Sequence, residues 1–417
     1  MKYESDYGHS IYYIDGEELN NFINSEIDEI IGYAYEWENE KVTHIHFSPI
    51  PHAFGKIRKI IISKKPKKDV ETTENVVYVA KDGTASIDGN TILCIPSFDN
   101  LYSRSKGLIE LEILASKSVL IIGLGSGGSS IAVQLAKTGI GHFYIVDFDR
   151  VELHNLSRHI CNINDLGRLK TDAIFDAIKG KNPYAVVDKL PIDVNKNLYI
   201  LEDIISKVDI VLCCTDNNAS RFNISELLVK HKKVGIFGRC MTRAEGGDVF
   251  IYRPGGACYT CLIGNKWYDT TAEEITDLAS AKRAGRIPAY VSEEDGQAVV
   301  QVGLGTDIEP INNMISKLAL VELSRGTDSG ISSLEKEFSF NYYIWANRRE
   351  KHYLTWGCFN NTDCMPTIMR WYGMDVPQRK DCPLCGQNIL EIDDSAEHLM
   401  ASLKAIGADN FEDLTLF

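Results

Sequence analysis

No stretch of this 417-residue chain approaches the run of about 20 apolar residues that a membrane helix needs. The opening residues, MKYESDYGHS, lack the build of a secretion signal, so the expected location is the cytoplasm. Positive charge is scarce. Lys and Arg number 44 against 58 Asp and Glu, a formal net charge of −14. That balance argues against nucleic acid or an anionic membrane as the main partner. One basic cluster, residues 56–68 (KIRKIIISKKPKK), reads as a solvated strand and loop. Internal repeats and low-complexity tracts are also missing. What remains is 44% hydrophobic and 24% charged, enough for a globular chain of two or three domains.

The eleven cysteines do not suggest a disulfide framework, because the count is odd and the expected location is the cytoplasm. Four of them form two C-x-x-C pairs, Cys258/Cys261 and Cys382/Cys385, each beside turn-forming residues. Four thiolates make a closed tetrahedral site, so the pairs are read as the ligands of a structural Zn2+ that staples distant segments.

The most informative stretch is 119–159, VLIIGLGSGGSSIAVQLAKTGIGHFYIVDFDRVELHNLSRH. A buried strand at 119–122 runs into a turn holding Gly123, Gly125 and Gly128. A helix is expected from about 129 to 138, then a strand at 142–146 that ends in Asp147. This strand–turn–helix–strand unit suits a nucleotide. Gly123 permits a tight turn, and Gly125 lets the backbone approach a phosphate. The helix N-terminus offers free N–H groups, and Asp147 is placed for a ribose hydroxyl. The glycine pattern alone would fit a nicotinamide or flavin enzyme. The residues that follow do not: Asp149, Asn155, Arg158, Lys170 and then Thr215-Asp216-Asn217 with Arg221. Cations to neutralise phosphate and an aspartate to hold Mg2+ are what a nucleoside triphosphate requires.

From these residues the segment resembles the ThiF/MoeB/ubiquitin-activating superfamily, whose members adenylate the C-terminal glycine of a small β-grasp protein or a peptide. The glycine loop matches, with Ser126 where many members have another Gly. The family's DFD…NLxRQ is matched by Asp147-Phe148-Asp149 and Asn155-Leu156-Ser157-Arg158, with His159 replacing Gln. Its Gly-x-x-Lys is matched by Gly167 and Lys170, and its (T/A)DNxxxR by Thr215, Asp216, Asn217 and Arg221. Its RYxR is matched by Tyr102 and Arg104, with Leu101 for the first Arg. The likeness covers 100–265, and 297–326 more loosely.

The resemblance implies specific roles. Amides of Gly125 to Gly128 cradle phosphate. Asp147, Asp149 and Asn217 complete the ATP site, in which Asn155, Arg158 and Lys170 take the triphosphate. Asp216 holds Mg2+, and Arg104 reaches the γ-phosphate, in relatives from the other subunit of a homodimer. The two C-x-x-C pairs fit the family's zinc site. Many relatives then pass the acyl group to a cysteine, yet 262–301, where it often lies, contains none. Cys358 and Cys364, in the polar stretch WGCFNNTDCMP, are the better candidates for that thiol, with Cys240 behind them. As inert thiols they would leave only the adenylation step.

The expected fold is α/β: a doubly wound Rossmann-like adenylation domain at 96–345, with a small α+β accessory domain at 1–95 and a zinc-stapled C-terminal segment at 346–417. Parallel strands are expected at 119–122, 142–146, 185–190, 209–213 and 233–237, with further strands at 246–253 and 338–345 and an apolar helix at 308–325. Residues 264–297 read as the crossover loop that covers the substrate's tail. In the accessory region a helix is expected over 16–33 and strands at 42–47, 59–63 and 76–79. His44, His46 and His52 are read as ordinary strand histidines. The expected activity is ATP-dependent activation of a ubiquitin-like or sulfur-carrier protein, with a conjugating-enzyme-like acceptor. A peptide-tailoring adenylyltransferase and a catalytically inactive binding protein stand as alternatives.

Overall fold

The structure, a computed structural model, describes residues 11–37, 41–49, 56–66, 75–94, 101–241, 244–264, 303–348 and 368–386. The chain divides into two compact units, Met1–Arg104 and Ser105–Phe417. Among the described residues, no helix is long and apolar enough to cross a membrane.

In the first unit seven strands close into a barrel: β1 (Ile11–Ile14), β2 (Glu29–Trp37), β3 (Val42–His46), β4 (Lys56–Ser63), β5 (Val76–Val79), β6 (Ala85–Ile87) and β7 (Asn90–Cys94), in the order β1-β3-β2-β4-β5-β6-β7. Alternation sets its inside. Thr43 and Ile45 of β3 are buried while Val42, His44 and His46 are half-buried. Ile14, Ala34, Ile45, Ile60, Ile62, Val77, Val79 and Ile87 fill the interior. The one described helix of this unit, α1 (Gly16–Asn24), adds Leu19 and Phe22. Asp15 starts it by accepting from Glu18 N–H (2.9 Å). The helix expected to reach residue 33 stops at Asn24. Ser25 bonds back to the Phe22 carbonyl (2.7 Å), and EIIGYAYEW continues as β2, paired with β3 and β4.

The second unit is built on an eight-stranded sheet. Its strands are β8 (Ser118–Ile122), β9 (His142–Val146), β10 (Val186–Leu190), β11 (Ile210–Cys213), β12 (Val234–Cys240), β13 (Gly246–Tyr252), β14 (Tyr342–Ala346) and β15 (Arg370–Met374), ordered β10-β9-β8-β11-β12-β13-β14-β15. The first five in that order pair parallel and the last three antiparallel. Both faces are covered, as a parallel sheet demands. Val119, Ile121, Phe143, Ile145, Ile210, Leu212 and Ile236 face one core, shared with α3 (Ser126–Ala136), α4 (Lys170–Lys179) and α8 (Gly305–Leu323). Their neighbours Leu120, Ile122, Val146, Val211, Cys213 and Phe237 face the other, shared with α5 (Leu198–Lys207) and α6 (Asn218–His231). A two-residue period inside continuously apolar strands therefore gives the doubly wound arrangement. The remaining described helices are α2 (Leu111–Ala115) and α7 (Tyr259–Ile263).

Several boundaries differ from expectation: β12 runs to Cys240 rather than 237, and α8 covers Gly305–Leu323 rather than 308–325. Helix α3 starts at Ser126 rather than near 129, because Gly127 and Gly128 are helical despite their low propensity. Strand β14 starts at Tyr342 rather than 338. The described part of the expected C-terminal segment is built into this unit, since β15 extends the sheet and Cys382 lies in its second core.

Candidate nucleotide site and cysteine cluster

Register brings the expected residues to one edge. Ile122 pairs with Val146 on one side and Cys213 on the other. The segments that leave these three strands, Gly123 onward, Asp147 onward and Cys214 to Asn217, emerge side by side at the carboxyl edge, where ligands of open α/β sheets bind.

The glycine loop is held at each peptide. Gly123 has φ +88°, its N–H bonds the Val146 carbonyl (2.8 Å), and a Cβ there would meet Cys214 O at 2.9 Å. Leu124 N–H donates to Asp147 Oδ2 (2.7 Å), and His159 Nε2 lies 2.6 Å from Leu124 O. Gly125 caps α3 and has nothing within 4 Å of where its Cβ would be. A Cβ on Gly128 would fall 1.8 Å from Gly123 O, so only glycine lets the helix seat on the strand. The first-turn amides of α3 have no intrahelical acceptor, the kind of donor set that suits an anion.

Asp147 is nearly buried and accepts twice from backbone, from Leu124 and from Asp149 N–H (2.8 Å). Each oxygen keeps a second lone pair. Gly167, with φ +80°, turns the chain so that Lys170 begins α4 against this acidic pair. Its Nζ is 2.8 Å from Asp149 Oδ2 and 4.0 Å from Asp147 Oδ1.

On the other flank Asp216 is exposed at the tip of the β11–α6 turn. Asn217 caps α6 by accepting from Ser220 N–H (2.9 Å). Arg221 is buried and donates to Thr215 O (2.6 Å), so the last residue of that motif shapes the turn. Asn155 also works locally, its Oδ1 accepting from Glu152 N–H (2.9 Å), which leaves its NH2 for other partners. Arg158 packs at the start of α8, its Cα 3.5 Å from a Cβ built on Gly305. Arg104 is exposed in a turn at the end of the first unit.

Sequence reasoning missed the part taken by His159. Cys161 N–H donates to its Nδ1 (3.1 Å), so the ring proton must sit on Nε2 and point to Leu124 O. Burial holds this imidazole below its ordinary value. Its replacement of the family's Gln, in an otherwise matched motif, was the signal.

The four expected cysteines converge. Cys258, Cys261, Cys382 and Cys385 have ligand atoms all within 4.8 Å of one another. Their sulfurs are 3.6 Å apart for Cys258 and Cys382, 3.4 Å for Cys261 and Cys385, and 3.9 Å for Cys258 and Cys261. These spacings are too long for disulfides, and they suit a tetrahedron with zinc–sulfur bonds of about 2.3 Å. The Cys258 thiol, helped by Arg379 N–H, pulls Cys261 down to about 4, while Cys258 itself is pushed up. The donor set fits Zn2+ and has no open position.

Other thiols go the opposite way. Burial pushes Cys161 up to about 12 and also raises Cys214. Cys240 is surface-exposed as a residue, but its sulfur faces the Met241 and Gly246 carbonyls (3.7 and 3.8 Å). Burial raises it to about 12 against the pull of Arg158. Cys358, Cys364 and the expected crossover loop at 264–297, apart from Gly264, lie outside the described residues.

The sequence model of the ThiF family matches residues 101–351. An adenylyltransferase and sulfurtransferase UBA4 from Lodderomyces elongisporus is 30% identical over 221 residues, 52% of this chain and 43% of that protein. A molybdopterin-synthase adenylyltransferase from Escherichia coli is 34% identical over 153 residues, 36% of this chain and 60% of that protein. The matched segment thus spans less than two thirds of either relative. Among solved structures, E. coli MccB in complex with N-formylated MccA has a TM-score of 0.48 at 17% identity, covering 70% of this chain and 77% of that one.

Proposed function

The chain belongs to the ThiF family, and from that premise we propose that it adenylates a carboxylate at the expense of ATP. The substrate we assign is the C-terminal glycine of a small ubiquitin-like or sulfur-carrier protein. A carboxylate oxygen attacks the α-phosphorus, one P–O bond forms, and the bond to pyrophosphate breaks. The chain's work is positioning and charge neutralisation. The observation that carries the reading is the glycine loop at the sheet edge, with nothing within 4 Å of where a Cβ on Gly125 would lie and with Asp147 and Asp216 on the segments that leave the neighbouring strands.

The α3 amides would cradle phosphate, and the remaining lone pairs of Asp147 would accept from ribose. Lys170 is held near the site by Asp149 and would exchange that partner for a phosphate oxygen. Asn155 and Arg158 would take the triphosphate. Mg2+ held by Asp216 would neutralise the departing pyrophosphate. The cysteine cluster would hold a structural Zn2+. Where an acyl-thioester follows, Cys358 and Cys364 are our candidates, because burial raises Cys161, Cys214 and Cys240 away from thiolate. We further assign the working form as a homodimer in which Arg104 serves the partner's nucleotide.

The test is exchange of labelled pyrophosphate into ATP with Mg2+ and the carrier. Asp216→Ala is expected to fall at least a hundredfold, about the cost of losing one electrostatic contact in a transition state. Undiminished exchange in that variant would overturn the assignment.

A further inference from the structure

Leu124 is gripped from both ends. Its N–H is fixed by Asp147 and its carbonyl by His159, and between them they set the direction of the next peptides, Gly125 and Ser126, which open the anion site. His159 can do this in only one protonation state. Cys161 N–H at 3.1 Å requires a bare Nδ1, and Leu124 O at 2.6 Å requires a proton on Nε2. A second proton would set Nδ1–H against the Cys161 N–H, two donors facing each other. The ring would have to turn, and the loop carbonyl would lose its donor.

Resting on the nucleotide reading above, we propose that His159 is a positioning residue: in its neutral Nε2–H form it locks the glycine loop in the phosphate-accepting shape, and its protonation releases the loop and weakens ATP binding.

The surroundings favour the neutral form. Burial disfavours the imidazolium, and so does Lys170 from the start of α4. The hydrogen bond to Leu124 O, Asp147 from the end of β9, and Asp165 from the turn that follows pull the other way, without outweighing burial. Asp165 is already engaged by Arg168 at 2.6 Å, and Asp147 by its two backbone donors. A glutamine supplies the same donor and the same acceptor on one side chain and cannot titrate. The family's usual residue would therefore grip the loop at every pH, whereas this chain's residue grips it only while neutral.

The experiment measures the ATP dissociation constant across pH for the full chain and for His159→Gln, each normalised to its own value at about pH 8. The protonation of ATP itself is common to both proteins and cancels in the ratio. Below the ordinary imidazole range the native chain is expected to lose about fivefold more affinity than the variant, the worth of one net hydrogen bond. The midpoint should coincide with the titration of His159 seen in nitrogen-15 spectra, where the resonance is assigned by its disappearance in the variant. At neutral pH the same spectra should show the Nε2–H tautomer. An identical acid limb in both proteins, a proton on Nδ1 at neutral pH, or tighter binding by the native chain on acidification would each overturn the proposal. Tightening would mean that the added charge outweighs loss of the loop contact. Absence of ATP binding at every pH would instead remove the nucleotide reading itself, and this proposal with it.

Discussion

Two glycines three residues apart meet opposite demands, and substitution separates them. Gly128 is closed: a methyl group there would overlap the Gly123 carbonyl at 1.8 Å, with Cys214 Cβ at 3.2 Å. Gly128→Ala is expected to cost about 3 kcal/mol, the upper range for forced overpacking, seen as a lower urea midpoint. Gly125 is open, with φ −68° and nothing nearby. Gly125→Ala should keep the midpoint but weaken ATP about tenfold, because the methyl group stands where phosphate approaches. Equal loss of stability in both variants would mean that the loop is only a packing device. Residue types announced these positions. What each side chain touches was less legible: Asn155 and Arg221 sat in matched motifs, yet both bond their own turns, because a motif records position and not partner.

At the scale of elements, legibility followed burial. The central strands were readable because each is a short apolar run covered on both faces, and β9 falls where its pattern placed it. The barrel was not readable as a barrel. Its short strands close through pairings distant in sequence, such as Tyr13 with Leu93 and Ile14 with Cys94, and no local pattern encodes them. Two elements carry predictions. The cysteine cluster joins α7 to residues 382–385 with 3.4–3.9 Å sulfur spacings, so one zinc per chain should co-purify. Cys382→Ser should release it and lower Tm by roughly 5–10 °C, since 1 kcal/mol moves a large domain by about 2–4 °C. Elemental analysis without metal in freshly purified protein would rule the site out. In the barrel, burial and neighbouring His44 hold His46 down to about 4 from 6.5. A folded value below the unfolded one means that full stability is present above about 6.5 and declines as pH falls toward 4. Hydrogen exchange of β2 and β3, taken relative to the intrinsic rate at each pH, should speed up through that window and do so less in His46→Gln. The same acceleration in both would clear His46 of the effect.

For the whole molecule, the proposed nucleotide edge contains Asp216, Lys170 and the glycine loop on one chain, and the proposal assigns its last cation to a second copy. Arg104 is exposed at the end of the first unit, so its guanidinium is available to a phosphate. An arginine that meets the γ-phosphate would stabilise charge on departing pyrophosphate, and its loss should cost roughly a hundredfold in exchange. If that contact crosses between subunits, two defective chains can repair each other. A dimer of one Arg104→Ala chain and one Asp216→Ala chain holds one site with both defects and one with neither. Random exchange of subunits puts half of all dimers in this mixed form, so the mixture should recover about a quarter of native exchange from two nearly inactive parents. Recovery requires mixing under conditions that let subunits exchange, confirmed with differently tagged chains that co-purify. If tagged chains do mix and activity stays at the parental level, Arg104 serves its own chain. A monomer at all concentrations with full exchange activity would overturn the shared site altogether.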